Sequence, residues 1–311
     1  MKKLKRALIS AVTACTCACA TLGYVGEMPN EADAATTGTS VHILNVSNLP
    51  NIYYGTSLSV LIQHNGTNIL VDAGTELAGS PEIVEQYLKG QGVEKIDHMV
   101  LTHAHNDHAG GMVHQIEKFD VSNLYIKGID WSMGSYGRTR VFYDEVYLNA
   151  QYKINSDGSV VNIVEPAVEG YRVQLDAETY FEIYNCTTVY EKQYYNQDYN
   201  YFSFMVKFTH KNASVLIGGD DGDLNEENEI NRIGQCEVFV LRHHGTAGPY
   251  TTWAILDEVR PSYCVASGIN QAVAADVISM CEYATGRSLM ITGDSGHIVF
   301  DSNGTNLIPR S

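Results

Sequence analysis

Apolar residues recur along this chain with two different periods. Short runs at 41–46, 59–62, 68–71 and 99–101 are strand-like, and Asn65-Gly66 between His64 and Thr67 predicts a tight hairpin joining the second run to the third. Residues 81–89 instead place Ile83, Val84 and Leu88 on one side and close on Gly90, the pattern of a helix lying outside a sheet. A second helix is expected at 138–151. Further strands are expected at 160–163, 171–175, 180–183, 202–208, 214–217, 237–241, 265–268 and 298–300, with a polar helix at 226–232. The one repeat this pattern suggests is a weak strand-strand-then-helix character of each half.

The N-terminus departs from this pattern. Lys2, Lys3, Lys5 and Arg6 precede an apolar and small-residue stretch, and Ala32-Asp33-Ala34 offers a cleavage site, so residues 1–34 are expected to be a secretory signal and 35–311 the functional domain. Val12-Thr13-Ala14-Cys15 keeps a lipid anchor open, while the short, Thr-, Ser- and Cys-laced stretch is a poor membrane span. The expected location is therefore secreted or cell-surface associated. Four of the seven cysteines, Cys186, Cys236, Cys264 and Cys281, lie beyond residue 34; their wide spacing suits small buried hydrophobes better than a disulfide framework.

At 311 residues, 44% hydrophobic and 18% charged, the chain can bury a sizeable core. The charge balance narrows the partners. Loss of residues 1–34, with four basic and three acidic side chains, from a chain of 20 Lys and Arg against 36 Asp and Glu leaves a net charge of −17. That disfavours nucleic acid and favours a small-molecule or cell-envelope substrate.

The candidate chemistry sits in His103-Ala104-His105-Asn106-Asp107-His108, followed by Ala109-Gly110-Gly111. Three imidazoles and a carboxylate at this spacing suit zinc, iron or manganese, and a set of three ligands leaves a coordination position open for water. The run lies where a strand turns into a helix. His103 and His105, two residues apart, can aim the same way, while Asp107 and His108 diverge toward a second point, so the run suggests two neighbouring metals. Asp72, ending the strand 68–71, either holds the ligand loop by hydrogen bonds or is a plain turn residue.

These residues, with Val71-Asp72-Ala73-Gly74 upstream and Gly218-Gly219-Asp220 and His243-His244-Gly245-Thr246 downstream, resemble the metallo-β-lactamase superfamily from about residue 41 to 300. The order N-x-x-S, G-G-D, H-H-G-T is most similar to its competence-protein-like and phosphorylcholine-esterase-like branches. The resemblance implies an αββα four-layer sandwich, with Asp220 bridging two divalent ions, zinc first and manganese or iron as alternatives. It implies His103, His105 and Asp220 on one ion, and Asp107, His108, Asp220 and His244 on the other. Asp221 is the alternative bridge. His243 is either the ligand in place of His244 or a proton donor beside the substrate. Thr246 is a near-site residue.

One departure stands out. Many members carry another His between the first cluster and the bridging Asp, and here 115–219 holds only His210, in the turn Thr209-His210-Lys211-Asn212, which is expected at the opposite end and without a metal role. Asn200 and Ser203 match the N-x-x-S stretch, so Asn200 is a near-site candidate, and the first ion is expected to be the weaker or the harder one.

The expected activity is hydrolysis by a metal-bridged hydroxide, with Asp107 and His243 in catalytic positions. A phosphoester is the leading substrate. A lactone, lactam or thioester, or a binding protein with a degraded site, are the alternatives. Tyr180, Tyr184, Tyr190, Tyr194, Tyr195, Tyr199 and Tyr201, with Trp131, raise a choline-containing substrate against the plainer reading of strand packing.

Overall fold

Strand alternation builds two sheets that share one apolar interior. In chain order the strands are β1 (Thr39–Ile43), β2 (Val60–His64), β3 (Thr67–Val71), β4 (Lys95–Val100), β5 (Asp120–Tyr125), β6 (Asn162–Val164), β7 (Tyr171–Gln174), β8 (Thr179–Tyr184), β9 (Met205–His210), β10 (Ala213–Ile217), β11 (Val238–Val240), β12 (Tyr263–Ala266), β13 (Met290–Ile291), β14 (Ile298–Ser302) and β15 (Leu307–Pro309). The computed structural model describes residues 38–47, 55–77, 79–128, 137–186, 199–222 and 231–310, all within the unit Glu31–Ser311. The expected leader at 1–34, Trp131, and Tyr190, Tyr194 and Tyr195 lie outside the described residues.

One sheet runs β15-β14-β1-β2-β3-β4-β5-β6 and the other β13-β12-β11-β10-β9-β8-β7. Each is antiparallel over one half and parallel over the other, the parallel halves being β3 to β6 and β10 to β13. Val41, Ile62, Ile69 and Val71 of the first sheet meet Phe181, Val206, Phe208 and Val215 of the second in the central core. The alternate positions, Leu61, Leu70, Met99 and Leu124, face helices α1 (Ser80–Gly90), α3 (Met112–Lys118) and α4 (Gly137–Tyr152). Leu216, Phe239 and Cys264 likewise face the helices Trp253–Val259 and Ala275–Thr285. The central strands are therefore buried on both faces, which is why their sequence runs are continuously apolar. The layers are α/β/β/α, the fold expected from the sequence.

Several boundaries differ from expectation. The run at 202–208 begins as a tight turn, Tyr199–Phe202, and pairs as a strand only from Met205. The reason is local: Tyr201 and Ser203 carbonyls accept from Asn185 Nδ2 at 3.0 and 2.7 Å, and the Phe202 carbonyl from Lys127 Nζ at 3.0 Å, so side chains take the place of ladder partners. β5 escaped the pattern because polar Ser122 and Asn123 interrupt its apolar positions. β13 is two residues long and β15 ends on an edge proline. Of the expected helix at 226–232, only 231 and 232 are described, and they form a turn.

Candidate metal centre

Five strands of the parallel halves, β3, β4, β10, β11 and β12, end at one rim of the sandwich, and the candidate residues follow them directly. Carboxyl ends of parallel strands are where a sheet can present side chains without breaking its ladder. After β3, Asp72 sits in left-handed backbone at φ 55° and is fully buried. Its Oδ1 accepts from the Thr102 amide at 2.8 Å, and its Oδ2 from Thr102 Oγ1 at 2.6 Å and His108 Nδ1 at 2.7 Å. After β4, the chain passes His103 and His105 into the one-turn helix α2 (Asn106–Ala109). Gly111 lets this turn close on the β3 end, since a Cβ there would lie 2.1 Å from the Ala73 carbonyl oxygen.

The ligand atoms fall into two groups. His103, His105 and Asp220 form one; Asp107, His108 and His244 form the other. Asp220 faces both: its Oδ2 is 3.5 Å from His103 Nε2, and its Oδ1 is 3.1 Å from His108 Nε2 and 3.6 Å from His244 Nε2. His244 Nε2 is also 3.1 Å from Asp107 Oδ2. Asp220 reaches this place because Gly219 turns sharply at φ +53°, where a Cβ would lie 2.3 Å from Ser203 Oγ, the atom that accepts the Asp220 amide at 2.9 Å.

The turn after β11 carries His243 (φ 47°) and His244 (φ 60°), two consecutive left-handed residues ahead of Gly245. Such backbone is strained for a non-glycine residue and needs support from its surroundings. His244 has that support: its Nδ1 lies 3.1 Å from the Ser267 carbonyl and 2.9 Å from Ser267 Oγ at the end of β12. His243 sits outside both ligand groups, 27% exposed, with Nε2 3.7 Å from Asp220 Oδ2. Thr246 Oγ1 is 2.6 Å from His243 Nδ1, and Asn200 Nδ2 is 3.3 Å from His243 Nε2. Asp221 turns away from the centre to the fully buried Arg242, with 3.6 Å between Oδ2 and Nη2, which leaves Asp220 as the carboxylate facing both groups.

Charge and hydrogen bonding both suit a cation. His108 Nδ1 and His244 Nδ1 are turned to acceptors, which leaves two Nε2 lone pairs 3.2 Å apart beside carboxylate oxygens. The buried Asp220 Oδ1 has no aligned hydrogen-bond donor. An all-acceptor cluster of this kind requires positive charge. Burial pulls His108 down, yet Asp220, Asp72 and Asp107 around it hold it well above the usual histidine value, the electrostatic mark of a site that favours positive charge. Burial drives His103 well below its usual value, an imidazole kept neutral and able to offer its lone pair. Burial pushes Asp220 up, but the surrounding histidines, His108 foremost, hold it well below the carboxylate range. Nitrogen and carboxylate donors in this number fit two borderline divalent cations such as zinc.

The structure thus brings His103, His105, Asp107, His108, Asp220 and His244 together, with Asp72, Asn200, His243 and Thr246 around them. His210 ends β9 at the far rim, its Nδ1 2.9 Å from Ser302 Oγ. Tyr180 stacks under the Arg172 guanidinium at 3.8 Å, and Tyr184 is buried in the second sheet's outer core. One Tyr180 face is thus covered by Arg172, and Tyr184 is packed in the core. Ser267, Asn185, Lys127 and Tyr250 carried no sequence signal, because their roles depend on contacts distant in the chain.

The two-sheet, helix-flanked fold is one that metallo-β-lactamase fold proteins of known structure share. Residues 52–144 match the family model of the metallo-beta-lactamase superfamily. It is 27% identical over 216 residues to Competence protein ComA of Neisseria gonorrhoeae, which covers 68% of this chain and 26% of that one. The chain therefore spans about a quarter of the length of this curated relative. Among solved structures it is similar to the metallo-beta-lactamase fold protein YhfI from Bacillus subtilis, with a TM-score of 0.50 and 12% identity over 85% of this chain and 100% of that one. Igni18, a metallo hydrolase from Ignicoccus hospitalis, gives a TM-score of 0.48 and 17% identity over 85% of this chain and 100% of that one.

Proposed function

We propose that the protein is a binuclear metal-dependent phosphoesterase that works outside the cytoplasmic membrane on a small or cell-envelope phosphoester. The observation that carries this reading is the shared carboxylate: Asp220 presents one oxygen to each of two ligand groups, and its Oδ1 is buried without an aligned donor. His103, His105 and Asp220 would hold one divalent cation, and Asp107, His108, Asp220 and His244 the second. When bound, such a pair lowers the pKa of water and stabilises charge growing on a phosphoryl oxygen.

The chain's own residues perform the positioning. Asp72 and Ser267 fix the ring tautomers of His108 and His244 so that each Nε2 points inward. Thr56 Oγ1 donates to Asp107 Oδ2 at 3.3 Å and steadies the more exposed carboxylate. His243, at the partly open mouth beside Asp220, is placed to hydrogen-bond the substrate near its leaving oxygen. Burial lowers its pKa, against the pull of Asp220 and Asp107. The N-terminal leader pattern and the acidic balance support a substrate met outside the cell and argue against a nucleic acid.

The test is to deplete the protein of metal, add back zinc or manganese, and assay bis(p-nitrophenyl) phosphate beside nitrocefin and a panel of lactones. Metal-dependent phosphodiester turnover is expected. Turnover of a lactone or lactam with none of the phosphoester would overturn the substrate class.

A further inference from the structure

Tyr250 lies in the loop after the histidine turn, almost fully buried at 8% exposure, and belongs to neither ligand group. Its ring packs on the His243 ring with centroids 3.9 Å apart. Its hydroxyl accepts from Asn200 Nδ2 at 3.2 Å, and the same Nδ2 is 3.3 Å from His243 Nε2. Tyr250 is itself held from the core: Arg242 Nη1 donates to its carbonyl at 3.4 Å, and Tyr201 stacks beside its ring at 6.5 Å.

We propose that Tyr250 is a positioning residue, which holds His243 Nε2 toward the reacting phosphoester through the Asn200 amide and through its own ring face. The proposal rests on the phosphoesterase reading of the centre. His243 needs such a hold because its backbone is left-handed and its side chain is partly open to solvent. Thr246 fixes the Nδ1 edge, but one hydrogen bond leaves the ring free to swing about that contact. The Tyr250 face and the Asn200 amide restrict this swing from two further directions. A phenol hydroxyl, donor and acceptor at once, can partner either end of the amide. Phenylalanine would keep the ring contact and lose the hold on the amide.

The test uses the metal-replete full chain. Y250F is expected to lower kcat on bis(p-nitrophenyl) phosphate about fivefold with KM little changed, the equivalent of one hydrogen bond. Added to H243A, it should cost nothing further, because its effect runs through His243. N200A, a second variant, should show the same dependence on His243. An arm without turnover follows the histidine ring nitrogens by long-range 1H–15N correlation in labelled protein. There Y250F should shift the His243 signals and leave those of His42 and His64 in place. Equal losses in the wild-type and H243A backgrounds, or unmoved His243 signals in Y250F, would overturn the proposal. Absence of any phosphoester turnover by the wild-type protein would sink the phosphoesterase reading instead, and the spectra would still judge the hold on His243.

Discussion

The two rims of the sandwich both gather histidines and carboxylates, and they treat them in opposite ways. At the far rim His64 is buried with Nδ1 2.7 Å from Thr39 Oγ1 and Nε2 2.6 Å from Asp176 Oδ2, and His210 Nδ1 finds Ser302 Oγ at 2.9 Å. Those ring nitrogens each meet a group that can share a proton. At the strand-end rim, the His108 and His244 nitrogens face each other and carboxylate oxygens, with their outer nitrogens already committed. Histidine clusters are therefore told apart by what their nitrogens face. Partners that share protons satisfy the chain alone, whereas facing lone pairs call for a cation.

The largest test of that contrast is Asp220→Ala. It should strip metal from both ligand groups and lower phosphoester turnover by about a thousandfold or more. His64→Gln at the far rim should leave metal content unchanged. Metal analysis by mass spectrometry beside kinetics checks both, and equal metal loss in the two variants would erase the distinction between the rims.

Behind the centre, Arg242→Met removes the buried guanidinium 3.6 Å from the Asp221 carboxylate and should destabilise the fold by about 3–5 kcal/mol in urea titrations. The double variant R242M/D221N should recover part of that loss.

His42 tests the satisfied class of histidine by pH. Burial is the main cause that lowers its pKa from 6.5 to about 3, with Nδ1 and Nε2 occupied by Tyr87 and Ser40. Below pH 6.5 the unfolded chain takes up the proton and the folded chain does not. Its contribution is therefore complete above pH 6.5 and is lost as pH falls toward about 3, with a slope of at most about 1.4 kcal/mol per pH unit. Stability curves of the wild type and H42Q across this window should differ in slope by that one proton.

The smallest effect is expected for Asp176→Asn. The carboxyl is lowered to about 2, first by the Glu178 amide and then by His64, but it is 44% exposed. Its contribution is present above the usual carboxylate pKa and is lost as pH falls toward about 2. Solvent screening keeps it below about 1 kcal/mol, measurable as a small shift in Tm.

Much of the architecture is legible from residue pattern alone. The hairpin at Asn65-Gly66, α1 and the continuously apolar β10 and β11 follow from local turn chemistry and double-sided burial. The tight turn at 199–202 is not legible, because the side chains of Lys127 and Asn185, remote in sequence, take its carbonyls. The HxHxDH run names candidate ligands because six residues on one strand-to-helix turn cannot lie far apart.

Sequence by itself determined what could be local: strand and helix periods, the glycines that permit sharp turns, and a dense supply of nitrogen and oxygen donors. Tertiary structure alone decided which carboxylate faces both ligand groups, with Asp220 turned inward and Asp221 drawn to Arg242. It also decided which histidine of the pair at 243 and 244 joins a ligand group. The physical reason is that orientation at a strand end is fixed by partners from other strands, here Ser267, Arg242 and Tyr250, and no local pattern encodes contacts made across a folded rim.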